Sequence, residues 1–124
     1  MPVQERVIPL MRSGVDVMVQ ARTGSGKTGA FGIPIVAETD TELAAPQALV
    51  LAPTRELANQ SATEIRTVGR HRGVRCLPIY GGVGYTAQLD GLKEGAHVIV
   101  GTPGRILDHL GSGRMSFERV KTVI

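Results

Sequence analysis

Apolar and polar residues follow one another along this chain in two patterns, which predict alternating strands and helices. Short continuous apolar runs such as "VMV", "LVL" and "VIV" are typical of strands buried on both faces, as in a parallel sheet. They predict strands at residues 16–21, 48–52, 74–80, 97–101 and 120–124. Helical spacing predicts helices at residues 3–11, 27–38, 55–68, 85–92 and 105–110, the first interrupted or ended near Pro9. The alternation favours an α/β fold of the doubly wound type.

Composition narrows the class of protein. The 124 residues suffice for one domain with one core, and 42% hydrophobic with 20% charged residues indicate a folded globular chain. No apolar run reaches the roughly 20 residues that cross a membrane, so no membrane partner is expected. The single cysteine, Cys76, is typical of a reducing, intracellular setting. We therefore expect a cytoplasmic protein, or a nuclear one in a eukaryote.

Charge and aromatic content bear on the kind of partner. A formal net charge of +3 permits a polyanionic partner without demanding one. Two tyrosines, two phenylalanines and no tryptophan are too few for a platform on which bases stack. A nucleic-acid partner would therefore be held by its backbone and not read by its bases.

Four stretches rich in Gly, Pro or Thr follow predicted strands. Their sequences are "ARTGSGKT", "APTREL", "IYGG" and "GTPGR". In a parallel sheet the loops at the carboxyl ends of the strands converge on one edge, and ligands bind there. We therefore expect all four stretches to face the same way.

The stretch "ARTGSGKT", residues 21–28, has the spacing of a phosphate loop. Gly24 and Gly26 let backbone N–H groups point at phosphate oxygens, and the following helix contributes the positive end of its dipole. Lys27 then places a charge on the β- and γ-phosphates, and the Thr28 hydroxyl ligates Mg²⁺. The alternative is a glycine-rich turn with a solvated lysine. Strand, spacing and helix agree in order, which favours nucleoside triphosphate binding.

These motifs together resemble the DEAD-box ATP-dependent RNA helicases, specifically the first of their two RecA-like domains. Ala21 in place of the first glycine is the usual form in that family, and "PVQ" followed by "IP" resembles its adenine-recognising Q motif. The resemblance implies ATP and Mg²⁺ as cofactors and RNA as partner. It assigns nucleotide binding to Gln4, Ala21, Thr23, Gly24, Ser25, Gly26, Lys27 and Thr28, with Lys27 and Thr28 catalytic and Thr28 as the metal ligand.

The other three stretches resemble the RNA-contacting motifs of the family, in the same order. The residues concerned are Pro53, Thr54, Arg55, Gly81, Gly82, Thr102, Pro103, Gly104 and Arg105. Thr54 is equally well explained as a plain helix N-cap, and the two glycines as a tight turn. Arg55 and Arg105 lie near helix N-termini, where a positive charge is unfavourable unless an anion is near. That placement favours a functional role for both arginines.

Several other residues are assigned ordinary structural roles. The basic run at residues 66–75 precedes a strand and should lie at the opposite edge of the sheet as a solvated turn. His71, His97 and His109 have no metal-ligand spacing, and Cys76 is expected to be a buried thiol. Asp108 is interpreted as an acid on a helix surface.

Parts of the family pattern have no counterpart in the sequence. There is no Asp-Glu-Ala-Asp tetrapeptide, no Ser-Ala-Thr motif and no second RecA-like domain with its arginine finger. We expect the 124 residues to be a partial domain of a longer helicase, incomplete at its C-terminal side, with the sheet open beside strand 120–124. We also expect them to be inactive in hydrolysis and unwinding by themselves. A non-catalytic module that binds the RNA backbone and an unrelated phosphate-loop NTPase remain alternatives, although Arg55 and Arg105 argue against the second.

Overall fold

A computed structural model describes residues 1–124 as one parallel sheet with helices on both faces. In chain order the elements are α1 (Pro2–Arg12), α2 (Lys27–Glu38), β1 (Ala48–Leu51), α3 (Arg55–Gly69), β2 (Cys76–Ile79), α4 (Thr86–Lys93), β3 (Val98–Gly101), α5 (Pro103–Gly111) and β4 (Thr122–Val123). A short 3₁₀ turn, Arg70–Arg72, follows α3. None of the helices is long and apolar enough to cross a lipid bilayer.

The strands lie in the order β2-β3-β1-β4, and every pair is parallel. Leu51 of β1 and Ile79 of β2 both pair with Gly101 of β3, so these three strands end at the same level. Gly101 is required there because a Cβ at this position would lie 2.2 Å from the carbonyl oxygen of Ile79. The α/β fold with a parallel sheet and flanking helices is therefore confirmed.

The core has two halves, one on each face of the sheet. Val98 and Val100 point to the face covered by α2 and α3, where Ile65 of α3 is fully buried. Ile99, between them in the strand, points to the other face and packs with Ile106 of α5. Continuous apolar runs in the strands are explained by this burial on both faces.

The predicted strand at residues 16–21 is wrong. This segment forms no ladder with any strand, and its side chains are exposed: Val17 is 39% and Met18 101% exposed. A strand needs a neighbour to take up its backbone hydrogen bonds, and here a groove separates the segment from β4. β4 is the edge strand of the sheet, and no strand lies between it and this segment.

Helix α1 also differs from its prediction, because Pro9 neither ends nor interrupts it. Pro9 lies inside the helix, which continues to Arg12 and ends with the N–H of Ser13 donating to the carbonyl of Pro9 at 3.1 Å. A proline inside a helix removes one backbone donor, and the helix tolerates the loss here. Packing against α2 through the buried Val7 holds α1 in place. The remaining helices begin and end within two residues of their predicted bounds.

Candidate functional site

Three of the four loops lie together at the carboxyl edge of the sheet. Thr54 follows β1, Gly81 follows β2 and Thr102 follows β3, and these strands end in register. A Cβ added to Gly82 would lie 3.8 Å from Nη1 of Arg55, so the loop after β2 reaches the start of α3. The structure thus brings the three stretches that resemble RNA-contacting motifs into one surface.

The phosphate loop lies at the same edge. Nζ of Lys121, which precedes β4, donates to the carbonyl of Glu38 at the end of α2 at 3.0 Å. Lys27, at the start of α2, lines a cavity of about 450 Å³ together with Val123 and Ile124 at the end of β4. Helix α2 therefore runs antiparallel to β4, and its first residue lies at the carboxyl edge of the sheet. Lys27 and Arg105 consequently face the same side of the molecule.

Within the phosphate loop the backbone makes two left-handed turns. Gly24 has φ 80° and Gly26 has φ 90°, values that side-chain-bearing residues adopt only with strain. Gly26 is the N-cap of α2 and has no side chain with which to cap it, so the first N–H groups of the helix are left without a partner. Nζ of Lys27 donates to the carbonyl of Ala21 at 2.6 Å and closes the loop on itself.

This loop fits a polyphosphate chemically. Ser25 Oγ is buried and has no hydrogen-bond partner, which is costly unless a ligand supplies one. Unpaired N–H groups and a lysine beside it offer the donors that phosphate oxygens accept. Thr28, the residue assigned to Mg²⁺, is half-buried in the first turn of α2, and Thr23 is exposed.

Gln4 is close to the phosphate loop, which the sequence did not predict. Its Nε2 donates to the carbonyl of Gly26 at 3.3 Å. Helix α1 packs along α2, and this packing places the side chain there. Gln4 was assigned to the adenine edge, and the structure adds a contact to the loop that is assigned to the phosphates.

The two threonines that precede helices differ from each other. Thr54 Oγ1 accepts from the N–H of Leu57 at 3.2 Å, so the N-cap role that the sequence left open for it is observed. Thr102 is the N-cap of α5 and makes no side-chain capping bond. Pro103 and Gly104 follow it, both exposed, and leave the start of α5 accessible.

Arg55 and Arg105 both lie against tyrosine rings. The guanidinium of Arg55 is 5.3 Å from the ring centre of Tyr80, and that of Arg105 is 4.1 Å from the ring centre of Tyr85. Such stacking orders an arginine while leaving most of its N–H groups free. The tyrosines occupy the loop after β2, so this loop positions both arginines.

Sequence reasoning missed a polar cluster that surrounds Arg105. It consists of Tyr85, Gln88, Asp108, His109 and Arg114. Gln88 of α4 and His109 of α5 are both buried, although polar residues of a helix usually lie on its exposed face. The spacing of residues in the sequence could not predict this contact between a buried carboxamide and a buried imidazole, because the contact depends on how α4 packs against α5.

The electrostatics of this cluster follow from its contacts. The hydroxyl of Tyr85 donates to Asp108 Oδ2, which raises the pKa of the tyrosine and lowers the pKa of the aspartate. Asp108 also forms an ion pair with Arg114 at 3.3 Å. Burial, and after it the nearby charge of Arg114, lowers the pKa of His109. The imidazole is therefore neutral near pH 7.

Asp108 and His109, which were assigned ordinary structural roles, belong to the cluster around Arg105, whereas the other residues assigned such roles lie elsewhere. The basic run at 66–75 precedes β2, so it is at the amino edge of the sheet, opposite the phosphate loop. Nε of Arg66 donates to the carbonyl of Cys76 at 3.1 Å. Cys76 is buried, as predicted, and burial raises the pKa of its thiol to about 12. No group of three or more His, Cys, Asp or Glu residues lies close enough to hold a metal ion.

Comparison with known proteins agrees with this architecture. The chain is 52% identical over 123 residues to the DEAD-box ATP-dependent RNA helicase CshA of Geobacillus kaustophilus, covering 99% of this chain and 26% of that relative. A DEAD box protein from the hyperthermophile Methanococcus jannaschii superimposes with a TM-score of 0.90 at 40% identity, over 98% of this chain and 33% of that one. A hypothetical ATP-dependent RNA helicase from Sulfolobus tokodaii gives a TM-score of 0.85 at 42% identity, over 98% and 34%.

The fold and the loop at its edge define an α/β domain of the RecA-like class with a phosphate loop. The family model for DEAD/DEAH box helicases matches residues 1–124, and the chain belongs to that family. It spans about a quarter of the length of the curated relatives that it matches.

Proposed function

We propose that this chain is the ATP- and RNA-binding portion of an ATP-dependent RNA helicase, which couples ATP binding and hydrolysis to local unwinding of RNA duplexes. One observation carries the proposal: Lys27 and Arg105 lie at the same edge of the sheet, so a nucleotide and an RNA strand can occupy neighbouring places. Relatives that bear the name ATP-dependent RNA helicase support it.

The nucleotide is assigned to the phosphate loop and to α1. The backbone N–H groups of Gly24, Gly26, Lys27 and Thr28 hold the phosphates together with the Lys27 side chain, and Ser25 Oγ gains the partner that it lacks. Ala21 and Thr23 shape the entry of the loop, and Gln4 offers one donor and one acceptor to the adenine edge. Bound Mg²⁺ would neutralise charge on the phosphates, and Thr28 is the residue here that would ligate it.

The RNA is assigned to the surface formed by the other three loops. Arg55 and Arg105 contribute charge, Thr102 and the start of α5 contribute donors, and Gly81 and Gly82 allow a strand to approach closely. Thr54 accepts from the N–H of Leu57 and so fixes the start of α3 beside this surface. Pro53, Pro103 and Gly104 complete this surface. All of these contacts suit a sugar-phosphate backbone, so binding should be independent of sequence.

Catalysis demands more than these residues. Phosphoryl transfer depends on metal, on an oriented water and on a stabilising arginine. In the family pattern these come from the Asp-Glu-Ala-Asp tetrapeptide and from a second RecA-like domain that closes on the first, neither of which the 124 residues contain. We propose that these residues alone bind ATP and RNA without appreciable ATP hydrolysis. We also propose that they belong to a cytoplasmic helicase, which supplies the tetrapeptide and the second domain.

Two binding titrations on the 124-residue chain test the proposal. One follows a fluorescent ATP analogue with Mg²⁺, and the other follows labelled single-stranded poly(U) RNA. Both ligands are expected to bind, with no rise in phosphate release when RNA is added. Binding of nucleotide without RNA would contradict the RNA surface assigned to the three loops, and binding of RNA without nucleotide would contradict the nucleotide site and favour a non-catalytic RNA-binding module. Turnover stimulated by RNA would contradict the inactivity of the isolated chain.

A further inference from the structure

Arg105 is held by three residues that lie outside the motifs described above. Its Nη1 donates to Oε1 of Gln88 at 3.3 Å, and its Nη2 donates to the carbonyl of Val83 at 3.0 Å. Its guanidinium also stacks on the ring of Tyr85 at 4.1 Å. A guanidinium has five N–H donors, so three remain free for an anion. Arginine loses rotamer entropy when it is fixed, and here it is fixed before any ligand arrives.

Gln88 is the centre of this arrangement. The residue is 4% exposed, and its Nε2 donates to the carbonyl of Tyr80 at 2.9 Å. A carbonyl can only accept, so the orientation of the amide is fixed and Oε1 must face the other way. There Oε1 accepts from Nε2 of His109 at 2.8 Å as well as from Arg105. One side chain thus connects the end of β2 with α5.

His109 holds the side-chain oxygen of Gln88 in place by donating a hydrogen bond to it. The histidine is fully buried, and its Nδ1 accepts from Nε of Arg114 at 3.2 Å. Because an arginine Nε–H can only donate, the imidazole proton is on Nε2 and points at Gln88. Each side-chain nitrogen and oxygen of Gln88 and His109 therefore has a partner of the right kind. A buried network satisfied in this way specifies a single geometry.

We propose that Gln88, held by His109, is a positioning residue that sets the guanidinium of Arg105 for the RNA backbone and joins the loop at residues 80–84 to α5. The inference rests on the proposed RNA contact of Arg105. It goes beyond that proposal because Gln88 and His109 are buried and touch no ligand themselves. The opposing explanation is that the pair merely stabilises the packing of α4 against α5.

A double-mutant cycle separates these explanations. Affinity for labelled poly(U) RNA is measured for the wild type, Gln88→Leu, Arg105→Ala and the double variant, all in the full protein. If Gln88 acts through Arg105, Gln88→Leu should weaken RNA binding by about threefold or more in the wild type and have almost no effect beside Arg105→Ala. Equal losses in both backgrounds, or no loss in either, would overturn the inference. Gln60→Leu, which changes an exposed glutamine of α3, is the matched control.

Two further arms keep the test decisive. If circular dichroism shows that Gln88→Leu does not fold, the cycle is run with Gln88→Glu instead. This change keeps the shape of the side chain and places a carboxylate that competes with phosphate for Arg105. Additive losses of RNA affinity again overturn the inference. His109→Gln retains an N–H for Gln88 and should keep RNA affinity within about twofold, whereas His109→Leu should lower it about threefold. Equal affinities of these two variants would contradict the role of His109. If Arg105→Ala alone leaves RNA binding unchanged, the proposed function itself fails.

Discussion

The carboxamide of Gln4 donates to the carbonyl of Gly26 at 3.3 Å, which joins the first helix to the phosphate loop. The two residues are 22 positions apart in the sequence, and the contact exists because α1 packs along α2. Gly26 leaves room for it, since a Cβ there would lie 2.8 Å from Nε2 of Gln4 and 2.2 Å from Sδ of Met1. The phosphate loop and Gln4, the residue assigned to adenine, are therefore in direct contact.

Gly26→Ala should accordingly weaken nucleotide binding by about tenfold or more, because it strains a left-handed residue and displaces Gln4. The measurement is a titration with a fluorescent ATP analogue. Gly14→Ala is the matched control: Gly14 also has positive φ, 82°, but a Cβ there meets nothing within 4 Å. Equal losses for both variants would show that backbone strain, and not the contact with Gln4, is responsible.

Lys27→Ala should weaken nucleotide binding by about tenfold or more and leave the fold intact. Nζ of Lys27 is exposed and bonds only to the carbonyl of Ala21, so its removal leaves no buried group without a partner. Loss of a charge-assisted bond to phosphate is expected to cost about tenfold or more in affinity. Lys93→Ala, at an exposed position of α4, is the control. Unchanged nucleotide affinity together with an unchanged circular dichroism spectrum would refute the assignment of the loop.

Arg105→Ala should weaken RNA binding equally for all sequences and flatten its dependence on salt. Each phosphate contact on a single strand contributes about 0.7 to the slope of log K against log salt concentration, so the slope should fall by about that amount. Arg70→Ala removes the same charge at the opposite edge of the sheet and should leave the slope unchanged. A larger change in the slope for Arg70→Ala than for Arg105→Ala would place the RNA site at the basic run, residues 66–75, instead. Strong sequence selectivity in the wild type would contradict recognition through the backbone.

Much of the fold was predictable, because local patterns agree with the tertiary structure wherever a strand is buried on both faces. The runs around Val50 and Ile99 are of this kind, and so is the helix that begins at Lys27. The segment around Val17 has the same pattern and forms no strand, because pairing depends on a neighbour and not on the segment itself. The strand predicted at residues 74–80 was also too long, by two residues at its start and one at its end, because pairing with β3 runs only from Cys76 to Ile79.

The candidate site was predictable only in part, for a related reason. Motif residues such as Lys27 are marked by their spacing, so their place at the edge follows from the order of strands and loops. Gln88 and His109 belong to no spacing pattern, and their burial depends on contacts between α4, α5 and the loop after β2. Thr54 illustrates a third case: its residue type allowed either a cap or a phosphate contact, and only geometry shows the capping bond.

The free energy of unfolding should fall as the pH is lowered through the range in which His97 titrates. His97 is fully buried; its Nδ1 accepts from the N–H of Arg75 at 2.9 Å, and its Nε2 faces the carbonyl of Thr41 at 3.2 Å. Burial, and after it the charge of Arg75, lowers the pKa of the imidazole below its usual 6.5, while the Thr41 carbonyl and Asp40 act in the opposite direction. The net pKa shift keeps the folded protein in the neutral form.

The unfolded chain therefore binds more protons than the folded one between the lowered pKa and about 6.5, and stability is lost as the pH falls through that window. Urea unfolding at a series of pH values measures this slope. His97→Gln, which can still accept from Arg75 and donate to Thr41, should flatten the slope. His109, whose pKa is also lowered by burial, contributes to the slope in the same window. His71→Gln changes an exposed histidine and is the matched control. A slope that His97→Gln leaves unchanged would show that this buried imidazole is not what makes folding sensitive to acid.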